Sequence, residues 1–176
     1  IGIVGLGSIG REIAMRAKAF GMTVLAVKKN IESSTAHTEV DQLLRIDQLA
    51  EMVGQADVVV MAAPATEETR DMFNSRMFTI MKPGAIFCNV ARGMHVVEED
   101  LIDALESGHL KAAILDVTRV EPLPTASPLW RQTNMYLSPH CAVSFDNYEE
   151  NAVALLVKNA ELYLSGKKML NVVSAI

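Results

Sequence analysis

Ile1-Gly2-Ile3-Val4-Gly5-Leu6-Gly7-Ser8-Ile9-Gly10 opens the chain. Its first four residues form a short apolar run suited to a buried parallel strand. Gly-x-Gly-x-x-Gly follows without a break. Ile9, Ile13, Ala17 and Phe20 then recur at helical spacing, and Gly21 supplies a stop. A second apolar run, Thr23 to Val27, comes next. Strand, glycine turn, helix and strand within about 30 residues make a βαβ unit. The glycine pattern alone is a weak signal, but between a strand and a helix it is a strong one. Gly5 permits the tight turn, Gly7 lets the backbone approach a pyrophosphate, and Gly10 lets helix and strand pack closely. The amides of Ser8 and Ile9 sit at the positive end of a helix, where an anion is stabilised.

The alternation continues outward from this unit. Gln42 to Ile46 is the candidate third strand and Ile46 to Val53 a short helix. Ala56 to Met61 is a strand ending at Ala63-Pro64. Asn74 to Met81 reads as helix, Ala85 to Asn89 as strand, Glu98 to Glu106 as helix and Ala112 to Asp116 as strand. Glu121 to Pro128 is too rich in proline for either. Met135 to Leu137 is a last short strand. Asn147 to Leu164 is a long helix with Ala152, Leu155, Leu156, Asn159 and Leu162 along one side. Strands alternating with helices predict an α/β, doubly wound Rossmann fold: a mainly parallel sheet with helices on both faces.

The 176 residues suit one domain, and the net charge of −5 gives no reason to expect nucleic acid or an anionic membrane as partner. Cys88 and Cys141 make no disulfide framework, which points to a reducing, cytoplasmic setting. No apolar run approaches the roughly 20 residues of a membrane span. The chain starts without Met, directly in an apolar strand, and is expected to be a piece of a longer protein.

The end of the second strand bears on the choice of dinucleotide. An acid about 20 residues after the glycine turn would bind a ribose 2′-hydroxyl. Here Val27-Lys28-Lys29-Asn30 stands in that place, and no acid occurs before Glu32. Lys28 and Lys29 suit a 2′-phosphate, so NADP(H) is the expected cofactor, with NAD(H) second.

Three later segments each end a predicted strand, at the sheet edge where open α/β folds bind ligands. They are Asn89-Val90-Ala91-Arg92-Gly93, Leu115 to Pro124, and Ser138-Pro139-His140. Reduction of a 2-keto acid needs a hydride at C2 and a proton at the carbonyl oxygen. A dinucleotide supplies the first, and a histidine is a suitable donor of the second near neutral pH. A carboxylate would fix the ring's tautomer, and an arginine would grip the substrate carboxylate. His140 is accordingly the expected acid/base, Glu121 its orienting partner and Arg92 the substrate-binding cation.

With these motifs in hand, the sequence closely resembles the cofactor-binding domain of the D-isomer-specific 2-hydroxyacid dehydrogenases. Gly5 to Gly10, Pro64 to Arg70, Met81 to Ala85, Asn89 to Gly93, Leu115 to Pro124, Ser127 to Trp130 and Ser138 to His140 carry the resemblance across nearly the whole chain, in the family's order. The resemblance implies that Arg92, Glu121 and His140 are catalytic and that Asp116 contacts the nicotinamide carboxamide. It also implies that the turn after Ala63-Pro64 lines the cofactor crevice. Thr69, Val90, Ala91 and Ala142 join Gly5, Gly7, Ser8, Ile9, Gly10, Lys28, Lys29 and His140 as expected cofactor residues. It further implies a small 2-keto or 2-hydroxy acid substrate and a homodimer formed through this domain. Residues 1–176 would be the dinucleotide-binding domain, with a discontinuous substrate domain absent at both ends. Val-Lys-Lys with Ser-Pro-Leu-Trp looks most like the glyoxylate and hydroxypyruvate reductase branch. Departures are Lys28 in place of an acid, Thr118 in place of an aromatic residue, and Cys141-Ala142-Val143-Ser144-Phe145 after the histidine. Some relatives act as dinucleotide-sensing co-regulators or scaffolds, which is the rival reading.

No metal site is expected, because His37, His95 and His109 lack ligand spacing with each other or with the cysteines. All three are read as surface or loop residues. Cys88 is read as inert packing and Cys141 as a bystander beside the site. Trp130 is read as an interface, lid or packing aromatic.

Overall fold

A computed structural model describes residues 1–29, 31, 38–142 and 147–172. Two bodies are distinguished, Ile1–His140 and Cys141–Ile176. The first holds β1 (Gly2–Val4), α1 (Ser8–Ala19), β2 (Leu25–Lys28), β3 (Gln42–Arg45), α2 (Leu49–Gln55) and β4 (Val58–Met61). It continues with α3 (Ser75–Ile80), β5 (Ala85–Asn89), α4 (Glu98–Glu106), β6 (Leu110–Leu115) and β7 (Met135–Leu137). The second body holds α5 (Tyr148–Leu164), whose Asn159 side chain bonds both the amide and the carbonyl of Leu170.

The seven strands lie in the order β3-β2-β1-β4-β5-β6-β7, and every pairing is parallel. The order reverses at β1, so β1 and β4 flank the switch point at which doubly wound sheets bind ligands. Side chains alternate across the sheet because the strand period is two. Ile3 and Ala26 pack with Ala14 and Ala17 of α1, whereas Val4, Leu25 and Val27 turn to the opposite face with α2, α3 and α4. Phe73, Phe78 and Phe87 fill that second face with ring centroids 4.6–6.0 Å apart. Each buried ring stabilises the fold by about 1.5–3 kcal/mol.

α1 buries a different stripe from the expected one. Gly10, Ala14 and Ala17 face the sheet, while Ile9 and Phe20 are exposed. Small residues let the helix axis come close to β1, and the larger apolar residues fall beside that contact. Gly21, at φ +75°, ends the helix, and the next amide, of Met22, reaches back to the Ala17 carbonyl at 3.0 Å. α3 starts one residue later than expected because Asn74 is its cap, accepting from the Met77 amide at 3.3 Å. Asn30 and His37 lie outside the described residues, as do Val143, Ser144 and Phe145.

Candidate active site

The glycine turn is shaped by two contacts that only glycine allows. Gly5 has φ +95°, and a Cβ there would lie 2.7 Å from the Ala63 backbone; one on Gly10 would lie 2.1 Å from the Gly5 carbonyl oxygen. The turn is therefore pressed against the end of β4 on one side and against its own helix on the other. At Gly7 a Cβ would meet nothing within 4 Å. The outer surface of the turn is open there, with exposed Ser8 and Ile9 beside it and no side-chain cap over the α1 N-terminus. Such an open ring of amides at a positive helix end has the chemistry of a diphosphate cradle.

At the ends of β2 and β3, Lys28 and Arg45 are register partners across the two strands. Arg45, which sequence reading did not single out, is exposed and stands 3.5 Å from the Asp47 carboxylate. Lys29 pairs with Glu68. Lys28 and Arg45 thus bring two cations to the edge where an adenosine ribose would lie.

Ala63, against which the glycine turn is pressed, begins a wall formed by the segment Ala63 to Thr69. The Thr69 hydroxyl closes it, accepting from the Thr66 amide at 2.9 Å and standing 3.0 Å from the Pro64 carbonyl oxygen. Pro64 is exposed, and Ala63 and Thr69 are half-buried.

The three sequence-predicted catalytic residues sit beyond neighbouring strands. His140 follows β7, and its Nδ1 lies 2.7 Å from Glu121 Oε2. The other carboxylate oxygen, Oε1, accepts from the Thr118 amide at 3.0 Å. Burial is the largest single influence on Glu121 and opposes its ionisation. Hydrogen bonds from His140 and Thr118, with the charges of His140 and Arg92, outweigh burial and hold the carboxyl below its usual pKa of 4.5. The pair is therefore an ionised carboxylate addressing one nitrogen of an imidazole. His140 has φ +53°, and its amide donates to the Asp116 carbonyl at 2.8 Å. A non-glycine residue in the left-handed region costs about 1–3 kcal/mol and persists only where its surroundings hold it.

Arg92 lies past β5 with an exposed side chain whose Nη1 donates to the Ala91 carbonyl at 2.6 Å. Its charge is felt at Glu121. Asn89 shapes this loop from within. Wholly buried, it accepts from the Ala91 amide at 3.0 Å and donates to the Arg92 carbonyl at 2.8 Å. Val90 is half-buried and Ala91 buried beside it. Asp116, buried at the end of β6, accepts from the Ser138 hydroxyl at 2.5 Å. Asp116, Thr118, Glu121, Trp130, Ser138 and His140 are among the residues lining one cleft of about 730 Å³. Trp130 is half exposed, its Nε1 donating to the Pro124 carbonyl at 3.0 Å. Ala142, expected at the cofactor, is an exposed residue of the second body.

Sequence reading passed over several residues that hold this geometry. Thr118 was noted only as a departure from an aromatic pattern, yet its amide holds Glu121. His95, expected as a surface or loop residue, lies in a loop turn but is wholly buried, because that loop is laced to the segment at residues 71–73. His109 is half-buried, its Nε2 3.0 Å from the Met81 carbonyl oxygen. The Cys88 thiol is pushed up to about 11 by burial, aided by the charge of Asp116, which suits inert packing. Among the described residues, no group of three or more His, Cys, Asp or Glu is placed to hold a metal ion, and no helix is long and apolar enough to cross a membrane.

A parallel sheet with its glycine turn, open helix N-terminus and edge-mounted His–Glu pair defines a dinucleotide-binding domain equipped for proton transfer. Residues 1–142 match the family described as D-isomer specific 2-hydroxyacid dehydrogenase, NAD binding domain, and the chain belongs to that family. It is 35% identical to glyoxylate/hydroxypyruvate reductase A of Serratia proteamaculans, over 88% of this chain and 50% of that protein. It is 37% identical to the glyoxylate reductase of Thermococcus gammatolerans, over 95% of this chain and 49% of that protein. Among solved structures it resembles a D-isomer specific 2-hydroxyacid dehydrogenase from Xanthobacter autotrophicus in complex with NADPH and MES. That match has a TM-score of 0.90 and 34% identity, over 99% of this chain and 70% of the other. An NADPH-dependent glyoxylate/hydroxypyruvate reductase from Sinorhizobium meliloti, in complex with NADP and sulfate, has a TM-score of 0.88 and 29% identity, over 98% of this chain and 54% of that one. The chain spans about half the length of the curated relatives it matches.

Proposed function

We propose that the protein carrying this chain is an NADP(H)-preferring D-2-hydroxyacid dehydrogenase that reduces small 2-keto acids of the glyoxylate and hydroxypyruvate kind. Residues 1–176 serve as its dinucleotide-binding domain, and its substrate domain is supplied by the rest of the protein. The single observation that carries this reading is the 2.7 Å contact between His140 Nδ1 and Glu121 Oε2.

The open turn at Gly7 and the paired cations Lys28 and Arg45 fit a phosphorylated dinucleotide. Gly5, Gly7, Ser8, Ile9 and Gly10 would hold its diphosphate, Lys28 with Lys29 its 2′-phosphate, and Ala63, Pro64, Thr69, Val90, Ala91, Asp116 and His140 its nicotinamide half. When bound, the nicotinamide supplies or takes back the hydride at C2.

The chain's own residues handle charge and protons. Glu121, kept ionised, draws the Nδ1 proton and fixes the tautomer, which leaves Nε2 to exchange a proton with substrate. In reduction His140 gives that proton to the carbonyl oxygen as the keto acid becomes the hydroxy acid; in oxidation it removes it. The carboxylate of Glu121 stabilises the imidazolium present before the transfer. Arg92 binds the substrate carboxylate and polarises the carbonyl. We further propose a homodimer through this domain and a cytoplasmic setting.

The test is NADPH and NADH oxidation by the full-length protein on glyoxylate, hydroxypyruvate and pyruvate, in wild type and His140→Gln. Turnover favouring NADPH, reduced about 100-fold or more in the variant, supports the proposal. Tight dinucleotide binding with no turnover on the panel would instead favour a sensing scaffold.

A further inference from the structure

The catalytic reading makes no use of the histidine on the inner side of the Arg92 loop. His95 ends the short turn Gly93–His95 and is wholly buried. Its Nδ1 lies 3.1 Å from the Thr69 carbonyl oxygen. Its Nε2 reaches no partner in hydrogen-bonding geometry, although the Ala63 carbonyl is near enough to favour a proton on the ring. Thr69 and Ala63 are the two ends of the wall that begins at the glycine turn.

Below that wall the two segments are joined by main-chain bonds. Asp71 N donates to Met94 O, Phe73 N to His95 O and Val97 N to Phe73 O, each at 2.9 Å. Phe73 and Val96 form a parallel bridge. These bonds stop at residue 71, and the imidazole carries the attachment on to Thr69. A buried nitrogen without a partner is costly, and an apolar side chain of similar volume would fill the same space without that cost. The ring is therefore explained by what Nδ1 does and not by packing.

We propose that His95 is a positioning residue: its ring donates from Nδ1 to the Thr69 carbonyl and sets the crevice wall Ala63–Thr69 at a fixed distance from the loop that carries Arg92. Dinucleotide binding and the grip on the substrate carboxylate are thereby coupled through one side chain that touches neither. The inference rests on the proposed function, in which that wall lines the cofactor crevice and Arg92 meets the substrate.

Asparagine and glutamine separate this role from packing. Asn places its Nδ2 near the position of Nδ1, whereas the Gln amide extends toward the position of Nε2. Full-length wild type, His95→Asn, His95→Gln and His95→Leu are compared for NADPH dissociation constant, for KM and kcat, and for amide hydrogen exchange over Thr66–Phe73. Expected is near-wild-type NADPH affinity in His95→Asn. His95→Gln and His95→Leu should bind NADPH about tenfold more weakly, with KM raised more than kcat is lowered and faster exchange at the wall. Equal affinity and equal exchange in all four proteins overturns the inference alone. A wild type that binds neither NADPH nor NADH overturns the cofactor reading and this inference with it.

Discussion

A Cβ on Gly93 would lie 2.0 Å from the carbonyl carbon of Thr118, so the Arg92 loop and the Glu121 loop meet backbone against backbone. Main chain cannot rotate aside as a side chain can. Gly93→Ala must push the loops apart or bend one of them, at about 1–3 kcal/mol of stability. Arg92 and the carboxylate held by Thr118 ride on those loops, so the same change should raise KM for the keto acid. Denaturant midpoints and steady-state kinetics of the full-length variant check both. An unaltered midpoint would mean the loops are looser than this contact implies.

Gly7 offers the opposite case. Nothing lies within 4 Å of a Cβ built there, so Gly7→Ala should leave stability within about 0.5 kcal/mol of wild type. The added methyl would occupy space that a diphosphate needs. We expect NADPH binding to weaken by about tenfold or more while the melting temperature holds. Calorimetric titration beside a thermal scan separates the two effects.

Much of this is legible in the sequence, and the reasons differ residue by residue. The glycine turn announces itself because Gly5 and Gly10 answer to main-chain distances that no other residue satisfies. The meeting of Glu121 with His140 followed from strand ends sharing one sheet edge, a consequence of parallel topology. The face that α1 buries is not read from apolarity, because Ile9 and Phe20 are more apolar than Gly10 and Ala14, and hydrophobicity does not register how closely a helix approaches its sheet. The burial of His95 has no local signal, because it depends on a bridge between residues 73 and 96, a non-local pairing. Thr118 acts through its amide, which side-chain chemistry does not reveal.

The ionisation of Glu121 gives a pH prediction of definite sign. Its folded pKa lies below the ordinary 4.5, because hydrogen bonds from His140 and Thr118 and nearby positive charge together overcome its burial. A carboxyl depressed on folding contributes stability above its unfolded pKa, and that contribution is lost as pH falls through the folded value. Denaturant midpoints followed from pH 6 down to about pH 3 should fall more steeply in wild type than in Glu121→Gln, which has no such group to protonate. Parallel curves would show that the carboxylate is not stabilised in its ionised form.

His95 supplies the complementary case. Burial lowers its pKa from 6.5, aided by the charge of Arg92 and opposed by the Thr69 and Ala63 carbonyls. The unfolded chain then binds a proton more readily than the folded one, so stability is full above about pH 6.5 and declines as pH falls from there toward the lower folded value. The decline between pH 7 and 5 should be shallower in His95→Asn, measured by urea denaturation.

Arg119 fastens three segments that the site depends on. Its Nε donates to the Val96 carbonyl at 2.7 Å and its amide to Glu98 Oε1 at 2.7 Å. Its guanidinium forms an ion pair with the Asp71 carboxylate. Burial raises the Glu98 pKa, the Arg119 amide opposes this and Glu99 adds to it. Arg119→Met keeps the unbranched stem of the side chain and removes its planar fork. With the side chain about one third exposed, the loss should be about 1–2 kcal/mol. Lysine should recover little, since a point charge cannot serve Val96 and Asp71 from one rigid plane. kcat should fall several-fold in both variants, because the Glu121 loop would lose its side-chain tie to Val96 beside the Arg92 loop, while NADPH affinity stays near wild type. If Lys restores full activity, charge alone suffices and the bond to Val96 plays no part in placing the site.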